Sequence, residues 1–177
     1  MKRLPVSFLA CSLVLLFSLS VLSTGTAFAS DGSGGRHHQK PIALKFSGTC
    51  SGNGCNGLFV GQTNCGNSTK QLQALPIYQN GTKTQIGTVR LWWSYTCGTN
   101  WAQAYATVSC SQVIEIYTEV HRVAGPDGGA LSEYDHGVYG GCSDSSPMVY
   151  APNECAWGWG EVVPNNGNPG DETTSCI

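Results

Sequence analysis

The sequence has little charge, few large aliphatic residues and, beyond its N-terminal segment, no long apolar run. Charged residues make up 11% of the 177 residues, and the formal net charge is −2. A chain without a basic surplus lacks the electrostatic footprint that nucleic acid or an anionic membrane surface would require. No later segment is long and apolar enough to predict a transmembrane helix. We therefore expect neither a nucleic-acid partner nor a membrane partner for the mature chain.

The first 29 residues have the three parts of a cleavable signal peptide. Lys2 and Arg3 form a short positive region, and an apolar stretch interrupted by serines covers residues 4–22. The segment ends at residues 27–29 in the A-x-A pattern that signal peptidase recognises. A membrane anchor would need a closing positive cluster, and a lipoprotein would need Cys11 after the apolar run instead of within it. The pattern predicts a secreted, extracellular protein.

The mature chain is short of large aliphatic side chains. Removing residues 1–29 from 177 leaves 148, of which Leu, Ile, Val and Phe make up about 16%, below the roughly 20% under which highly charged chains stay disordered. Its net charge is low, however, and it keeps an even set of cysteines, which predicts disulfides in an exported protein. Each bridge that closes a loop of tens of residues stabilises the fold by roughly 3–4 kcal/mol. The predicted disulfide cysteines are Cys50, Cys55, Cys65, Cys97, Cys110, Cys142, Cys155 and Cys176.

A zinc site is the alternative use of these cysteines. Zinc ligands usually come as closely spaced pairs, and only Cys50 and Cys55 approach that spacing. We therefore predict disulfides, with no metal and no cofactor. Eight cysteines can pair in many ways, so spacing alone leaves the connectivity open.

Strand signals dominate the rest of the chain. Two alternating runs flank Asn80-Gly81, a dipeptide typical of a β-hairpin turn. Short strands separated by glycine-rich turns predict an all-β fold, a small antiparallel sandwich or barrel stabilised by disulfides. The predicted strands cover residues 71–79, 83–95, 101–108, 112–123, 148–150 and 157–159.

Composition divides the chain into four segments. The signal peptide at 1–29 is followed by a flexible, glycine- and histidine-rich leader at 30–45. The disulfide-bonded β domain covers 46–163. Residues 164–177 are rich in Asn, Gly and Pro and predict a loose C-terminal tail, except where Cys176 ties it down.

The segment from Val89 to Gln103 carries a recognisable motif. It reads Leu-x-x-Ser-x-Thr-Cys-x-Thr-Asn-Trp-Ala from Leu91 onward and resembles the signature of a secreted bacterial family known as domain of unknown function 2690. Trp92, Tyr95 and Gln103 depart from that family's Arg, Pro and Arg. The resemblance implies export and a compact fold, and it implies no activity. The matching residues are Leu91, Ser94, Thr96, Cys97, Thr99, Asn100, Trp101 and Ala102.

The same resemblance bears on the disulfides. The first four cysteines fall within the segment that resembles the family, whereas Cys110, Cys142, Cys155 and Cys176 look like additions to it. We therefore expect the first four to pair among themselves and the last four likewise.

Catalytic patterns are weak in this chain. Glu115, Glu119 and His121 share one side of a predicted strand, where neighbours lie roughly 7 Å apart, so Glu119 and His121 could share a metal or flank a substrate. Asp135-His136 is placed in a glycine-rich loop, and no serine has the G-x-S-x-G context of a nucleophile. A secreted hydrolase using Glu119 and His121 is therefore an alternative, and we name no catalytic residue.

The tryptophans give the stronger functional signal. Trp92 and Trp93 are adjacent in a predicted strand and must face opposite sides, whereas Trp157 and Trp159 share one side. Tryptophan can fill a thin core, but an exposed ring suits stacking on a sugar or packing on a protein. We predict a non-catalytic binding module whose partner is a cell-wall glycan or another extracellular protein. Its predicted ligand contacts are Trp92, Trp157 and Trp159, and a structural surface or spore-type protein is the other alternative.

Overall fold

The computed structural model describes residues 48–138 and 141–177, so the predicted signal peptide and leader lie outside the described residues. No helix in these ranges is long and apolar enough to span a membrane. The short 3₁₀ helices are Gly52–Cys55, Val60–Gln62, Asn64–Asn67 and Cys110–Gln112. The strands are β1 Thr69–Tyr78, β2 Gln85–Ser94, β3 Thr99–Ala106, β4 Val113–Arg122, β5 Leu131–Val138, β6 Ser143–Ser145, β7 Val149–Tyr150, β8 Ala156–Pro164 and β9 Gly170–Thr173.

The strands form two antiparallel sheets. In the first sheet the order is β1-β2-β3, and β3 also pairs with β6 and β7. In the second sheet the order is β5-β4-β8-β9. Buried side chains from both sheets form one core, among them Ile77, Val89 and Ala104 from the first and Ile116 and Val162 from the second. The predicted all-β, disulfide-stabilised fold is confirmed, and of the two predicted architectures it is the sandwich.

The predicted hairpin and central strands are confirmed. β1 and β2 pair on either side of Asn80-Gly81, and Gly81 has a φ of 71°, which glycine adopts without strain. The alternation predicted for β4 also holds from Ile116 onward. Before that point a β-bulge between Val113 and Glu115 shifts the register, so that Val113 is the buried residue at the strand's start.

The C-terminal segment is ordered, and the prediction of a loose tail over residues 164–177 is wrong. Residues 170–173 form β9, which pairs with β8, and Cys176 is bridged to Cys155. The backbone N–H of Gly158 donates to the Thr174 hydroxyl at 2.8 Å. Backbone pairing satisfies donors and acceptors whatever the side chains are, so a polar, glycine-rich segment can add an edge strand that its composition does not reveal.

All eight predicted cysteines form disulfides. The first four pair among themselves and the last four likewise, as expected. Two bridges fix the 3₁₀-helical segment before β1, and the other two fix the flanks of the second sheet. The pairs are Cys50–Cys55, Cys65–Cys97, Cys110–Cys142 and Cys155–Cys176.

The residues behind the family resemblance hold the end of the β2–β3 hairpin. The Ser94 hydroxyl donates to the Cys65 carbonyl at 2.6 Å and accepts from the Cys97 backbone N–H at 3.3 Å. The Asn100 side chain donates to the Trp92 carbonyl at 3.2 Å. In this chain the motif therefore serves the fold, since it ties the hairpin to the bridged segment. Its other buried members are Leu91, Thr99, Trp101 and Ala102.

The two sheets approach each other closely at two glycines of β8. A Cβ atom on Gly158 would lie 2.9 Å from the Ala102 Cβ, and one on Gly160 would lie 3.0 Å from the Ala104 Cβ. Only a hydrogen fits at either position without displacing β3. Because successive residues of a strand face opposite sides, these inward glycines turn the residues between them and beside them outward.

We predict that Gly158→Ala destabilises the protein. The added methyl group must displace Ala102, and overpacking of this kind costs about 1–3 kcal/mol, more than the entropy that alanine saves in the unfolded chain. Urea unfolding measures the loss. Gly61→Ala is the matched control, because a Cβ there meets no atom within 4 Å. An equal effect of both substitutions would contradict close packing at Gly158.

Candidate ligand-binding face

The outer side of the second sheet carries a group of aromatic and imidazole rings. The pairing register places outward residues of β4 beside those of its two neighbours, so that Glu119 lies opposite Tyr134 on β5 and opposite Trp159 on β8. In β4 and β8, alternation places the residues between these outward positions in the core. We call this surface the aromatic face and define it by Tyr117, His121, Tyr134, His136, Trp157 and Trp159.

The rings form two stacked groups. Tyr117, Tyr134 and His136 have centroids 6.0–6.3 Å apart and ring planes within 27° of parallel. The His121 ring stacks on Trp157 with centroids 3.6 Å apart and an angle of 15°. Stacking between neighbouring strands fixes the relative orientation of these rings, so a ligand meets side chains that are already ordered.

Polar contacts fix the orientation of two rings of the face, Trp159 and His121. The Trp159 indole N–H donates to the Asp171 carboxylate of β9 at 3.2 Å. His121 Nε2 lies 3.1 Å from a Glu119 carboxylate oxygen, with about a quarter of each side chain exposed. The prediction that Glu119 and His121 lie together on one side of β4 is thus confirmed.

Carboxylates accompany the rings. The Tyr117 hydroxyl donates to the Glu115 carboxylate, and this bond, with burial and nearby negative charge, raises the pKa of Tyr117 to about 12. Burial, with the neighbouring charges of Asp171 and Glu115, raises the pKa of Glu161 above its ordinary value. Nearby carboxylates contribute to both pKa shifts, after the hydrogen bond and burial for Tyr117 and after burial for Glu161.

The described strands of the second sheet contain no lysine and one arginine, Arg122, which is buried. No lysine or arginine of these strands therefore balances the negative charge on their outer side. Its guanidinium donates to the Gly129 and Tyr150 carbonyls and to the Asn53 side chain. These contacts join the end of β4 to the following loop and to β7. Arg122 therefore serves the interior, and the outer side of the described strands of the second sheet carries no lysine or arginine.

The structure separates the three predicted ligand-binding tryptophans. Trp157 and Trp159 lie half-buried on the aromatic face. Trp92 lies in the first sheet, stacked on Trp101 with centroids 6.0 Å apart, and packs on the disulfides of the segment before β1. Trp93, the next residue in the sequence, lines a depression on another part of the surface. Trp92 thus has another chain segment covering it and shares no surface with Trp157 and Trp159.

Sequence reasoning missed two members of the face. Tyr134 and His136 are exposed residues of β5, a strand that the sequence analysis left unassigned, and the placement of Asp135-His136 in a loop is wrong. The available signal was the alternation of Tyr134 and His136 with Glu133 and Asp135. Glycine-rich flanks and charged residues at the alternate positions hid it, because β5 is an edge strand with little apolar surface to bury.

The first four cysteines bring their sulfur atoms together. All four Sγ atoms lie within 4.8 Å of one another, and Sγ of Cys50 and Sγ of Cys65 are 3.3 Å apart although they belong to different bridges. The thiolate is the form that binds metals, so these bridged sulfurs offer no ligand. In the described residues no third acidic, histidine or cysteine ligand joins Glu119 and His121.

Comparison of the chain with protein-family models, with curated proteins and with solved structures finds no match. The family resemblance of the β2–β3 segment therefore stays a prediction.

A partly buried carboxylate lies beside the edge of this sheet. Asp144 of β6 accepts a hydrogen bond from the Thr118 hydroxyl of β4 at 3.1 Å. Burial, followed by repulsion from Asp135, raises the pKa of Asp144 from 3.8 to about 6, against the opposing effects of Thr118 and His136. The folded protein thus binds a proton at this carboxyl more tightly than the unfolded chain does.

We predict that this carboxyl makes the protein less stable as pH rises from about 4 to about 7. A raised folded pKa adds stability below the unfolded value of 3.8, and that stability is lost as pH passes the folded value of about 6. Solvent screening reduces the effect to about 1 kcal/mol. Asp144→Asn should therefore be more stable than the parent at pH 7 and equal to it near pH 4. Urea unfolding at both pH values measures this, and a loss of stability at pH 7 would show an ionised, stabilising Asp144.

Proposed function

We propose that the chain is an exported, non-catalytic module that binds a glycan at a cell surface through the aromatic face. The observation that carries the proposal is the set of nearly parallel, partly exposed rings on β4, β5 and β8. Sugar rings have apolar C–H sides that stack on aromatic rings, and the hydroxyl groups at their rims bond to polar groups beside those rings. The aromatic face offers both kinds of contact.

The shape of the face favours an extended polymer. Its rings lie on three neighbouring strands of one sheet, so their positions are set by the backbone pairing instead of by a loop. Trp157 and Trp159 are two residues apart on β8, which places them roughly 7 Å from each other along the strand. An extended chain of sugars can therefore contact several rings at once, and several weak contacts add to a useful affinity.

A hydrolase that uses Glu119 and His121 is less well supported. A paired-carboxylate glycosidase holds its two carboxyl groups about 5–9.5 Å apart across a cleft. Glu119 instead contacts His121 on the same strand, and both belong to one side of a sheet. The contact orients His121 on Trp157, which fits a stacking surface.

Export is part of the proposal and has two supports. The N-terminal segment has the pattern of a cleavable signal peptide. Four disulfides in a small domain are typical of proteins that fold in an oxidising compartment.

We predict that Trp157→Ala and Trp159→Ala each weaken binding to an insoluble polysaccharide. Loss of one stacking ring costs about 1–2 kcal/mol, which is roughly a five- to thirtyfold loss of affinity. The measurement is depletion of the oxidised, mature protein from solution by cell-wall material and by a panel of insoluble polysaccharides.

The matched controls are Tyr78→Ala and Tyr95→Ala, which remove exposed aromatic rings that belong to the first sheet and its turn. Both should bind as the parent does, and all four variants should keep the parent's unfolding midpoint within a few degrees. Depletion that survives both tryptophan substitutions would contradict the assignment of the aromatic face. No depletion by any polymer would remove the glycan proposal.

A further inference from the structure

We infer that the ligand of the aromatic face is a cationic glycan, an amino-sugar polymer with free ammonium groups. This inference deepens the proposed function and rests on it, because it assigns a ligand class to the same face. The aromatic face carries carboxylate charges among its rings.

Each ring group of the face has a carboxylate in direct contact with it. Glu115 accepts from Tyr117, Glu119 contacts His121, and Asp171 accepts from Trp159. In the register of β8, Glu161 lies opposite both Tyr117 and Asp171, so it stands between these groups. The negative charges are thus distributed along the rings and do not form a separate cluster.

The carboxylates of the face outnumber its basic side chains, which are the imidazoles of His121 and His136. The described strands of the second sheet contain no lysine, and their one arginine is buried under the sheet. Carboxylates Glu115, Glu119, Glu161 and Asp135 all contribute to raising the pKa of the Tyr134 hydroxyl, after burial. A ligand that brings positive charge relieves this repulsion, whereas an anionic ligand increases it.

An ammonium group on a sugar satisfies both features at once. The sugar ring stacks on the aromatic rings while its ammonium lies over a neighbouring ring, where cations are attracted to the π face, and beside a carboxylate. A neutral glycan would stack and donate hydroxyl hydrogen bonds to the carboxylates, but it would take part of their water and leave their negative charge uncompensated. A lysine side chain would use the charge but has no ring to stack. The combination of rings and carboxylates therefore favours the amino sugar.

The experiment compares two polymers with the same backbone, chitosan and chitin, both presented as cross-linked insoluble beads, which differ in whether the amino group is free or acetylated. Mature oxidised protein is depleted by each at about pH 6, above the ordinary carboxyl pKa of about 4. We expect chitosan to bind at least about tenfold more tightly. Binding to chitosan should weaken when salt rises from about 0.1 M to about 1 M, which shortens the screening length from about 10 Å to about 3 Å.

Matched charge variants separate the face from the net charge of the protein. Asp171→Asn removes a carboxylate from the face, whereas Glu172→Gln removes the same charge from the next residue of β9, which lies opposite the inward Gly160. Asp171→Asn should weaken binding to chitosan about two- to fivefold, as expected for an exposed ion pair, and leave binding to chitin unchanged. Glu172→Gln should bind both polymers as the parent does.

The outcomes distinguish the inference from the function on which it rests. Binding to neither of these polymers nor to any other glycan contradicts the proposed function itself. Equal binding to chitin and chitosan, or an equal loss with both charge variants, overturns the cationic ligand and leaves a glycan-binding face. Displacement from chitosan by polylysine at equal charge concentration, to the same extent as by soluble chitosan fragments, would overturn the choice of a sugar over a basic peptide.

Discussion

The contact on which the rest of the structure depends is the close approach of β8 to β3. Gly158 and Gly160 lie against Ala102 and Ala104, and no larger side chain fits on the β8 side. With small residues on both strands the sheets can pack closely and exclude water although large aliphatic side chains are few. Successive residues of a strand face opposite sides of the sheet, so the residue between these glycines and the residues beside them must face solvent. The small residues of β8 in the interior and its aromatic residues on the outer side therefore both follow from the alternation along this one strand.

A thin core of this kind needs other constraints, and the chain supplies them at its irregular parts. The segment before β1 contains three short 3₁₀ helices with few buried aliphatic residues. The Cys50–Cys55 disulfide closes a loop within it, and the Cys65–Cys97 disulfide and Ser94 hold it on the β2–β3 hairpin. At the C-terminal end of β4, the buried Arg122 links the backbone carbonyls of Gly129 and Tyr150. A buried cation is tolerated there because its donors are paired, and removing those acceptors would leave it uncompensated.

Sequence patterns predicted those parts of the fold in which alternation coincides with burial. β2, β3 and β4 are flanked by other strands and bury one full side, so their apolar period of two is visible. β5 and β9 are edge strands, in which backbone pairing is sufficient and side chains stay polar, so composition predicted loops there. The candidate site divides in the same way. Trp157 and Trp159 could be found by their spacing, whereas Tyr134 and His136 required knowledge that β5 pairs with β4.

The outer face carries a cost that the fold must offset. Like charges on neighbouring strands oppose folding, and after burial the charges of Asp171 and Glu115 contribute to the raised pKa of Glu161. Partly exposed rings add apolar area that water disfavours. Four disulfides restrain the unfolded chain and contribute stability that does not depend on which residues the face presents. The disulfides in the irregular segments and the close packing of small residues between the sheets thus stabilise the fold without help from the outer side of the second sheet. That side can therefore present rings and carboxylates where a sheet with no ligand to bind would have neutral residues.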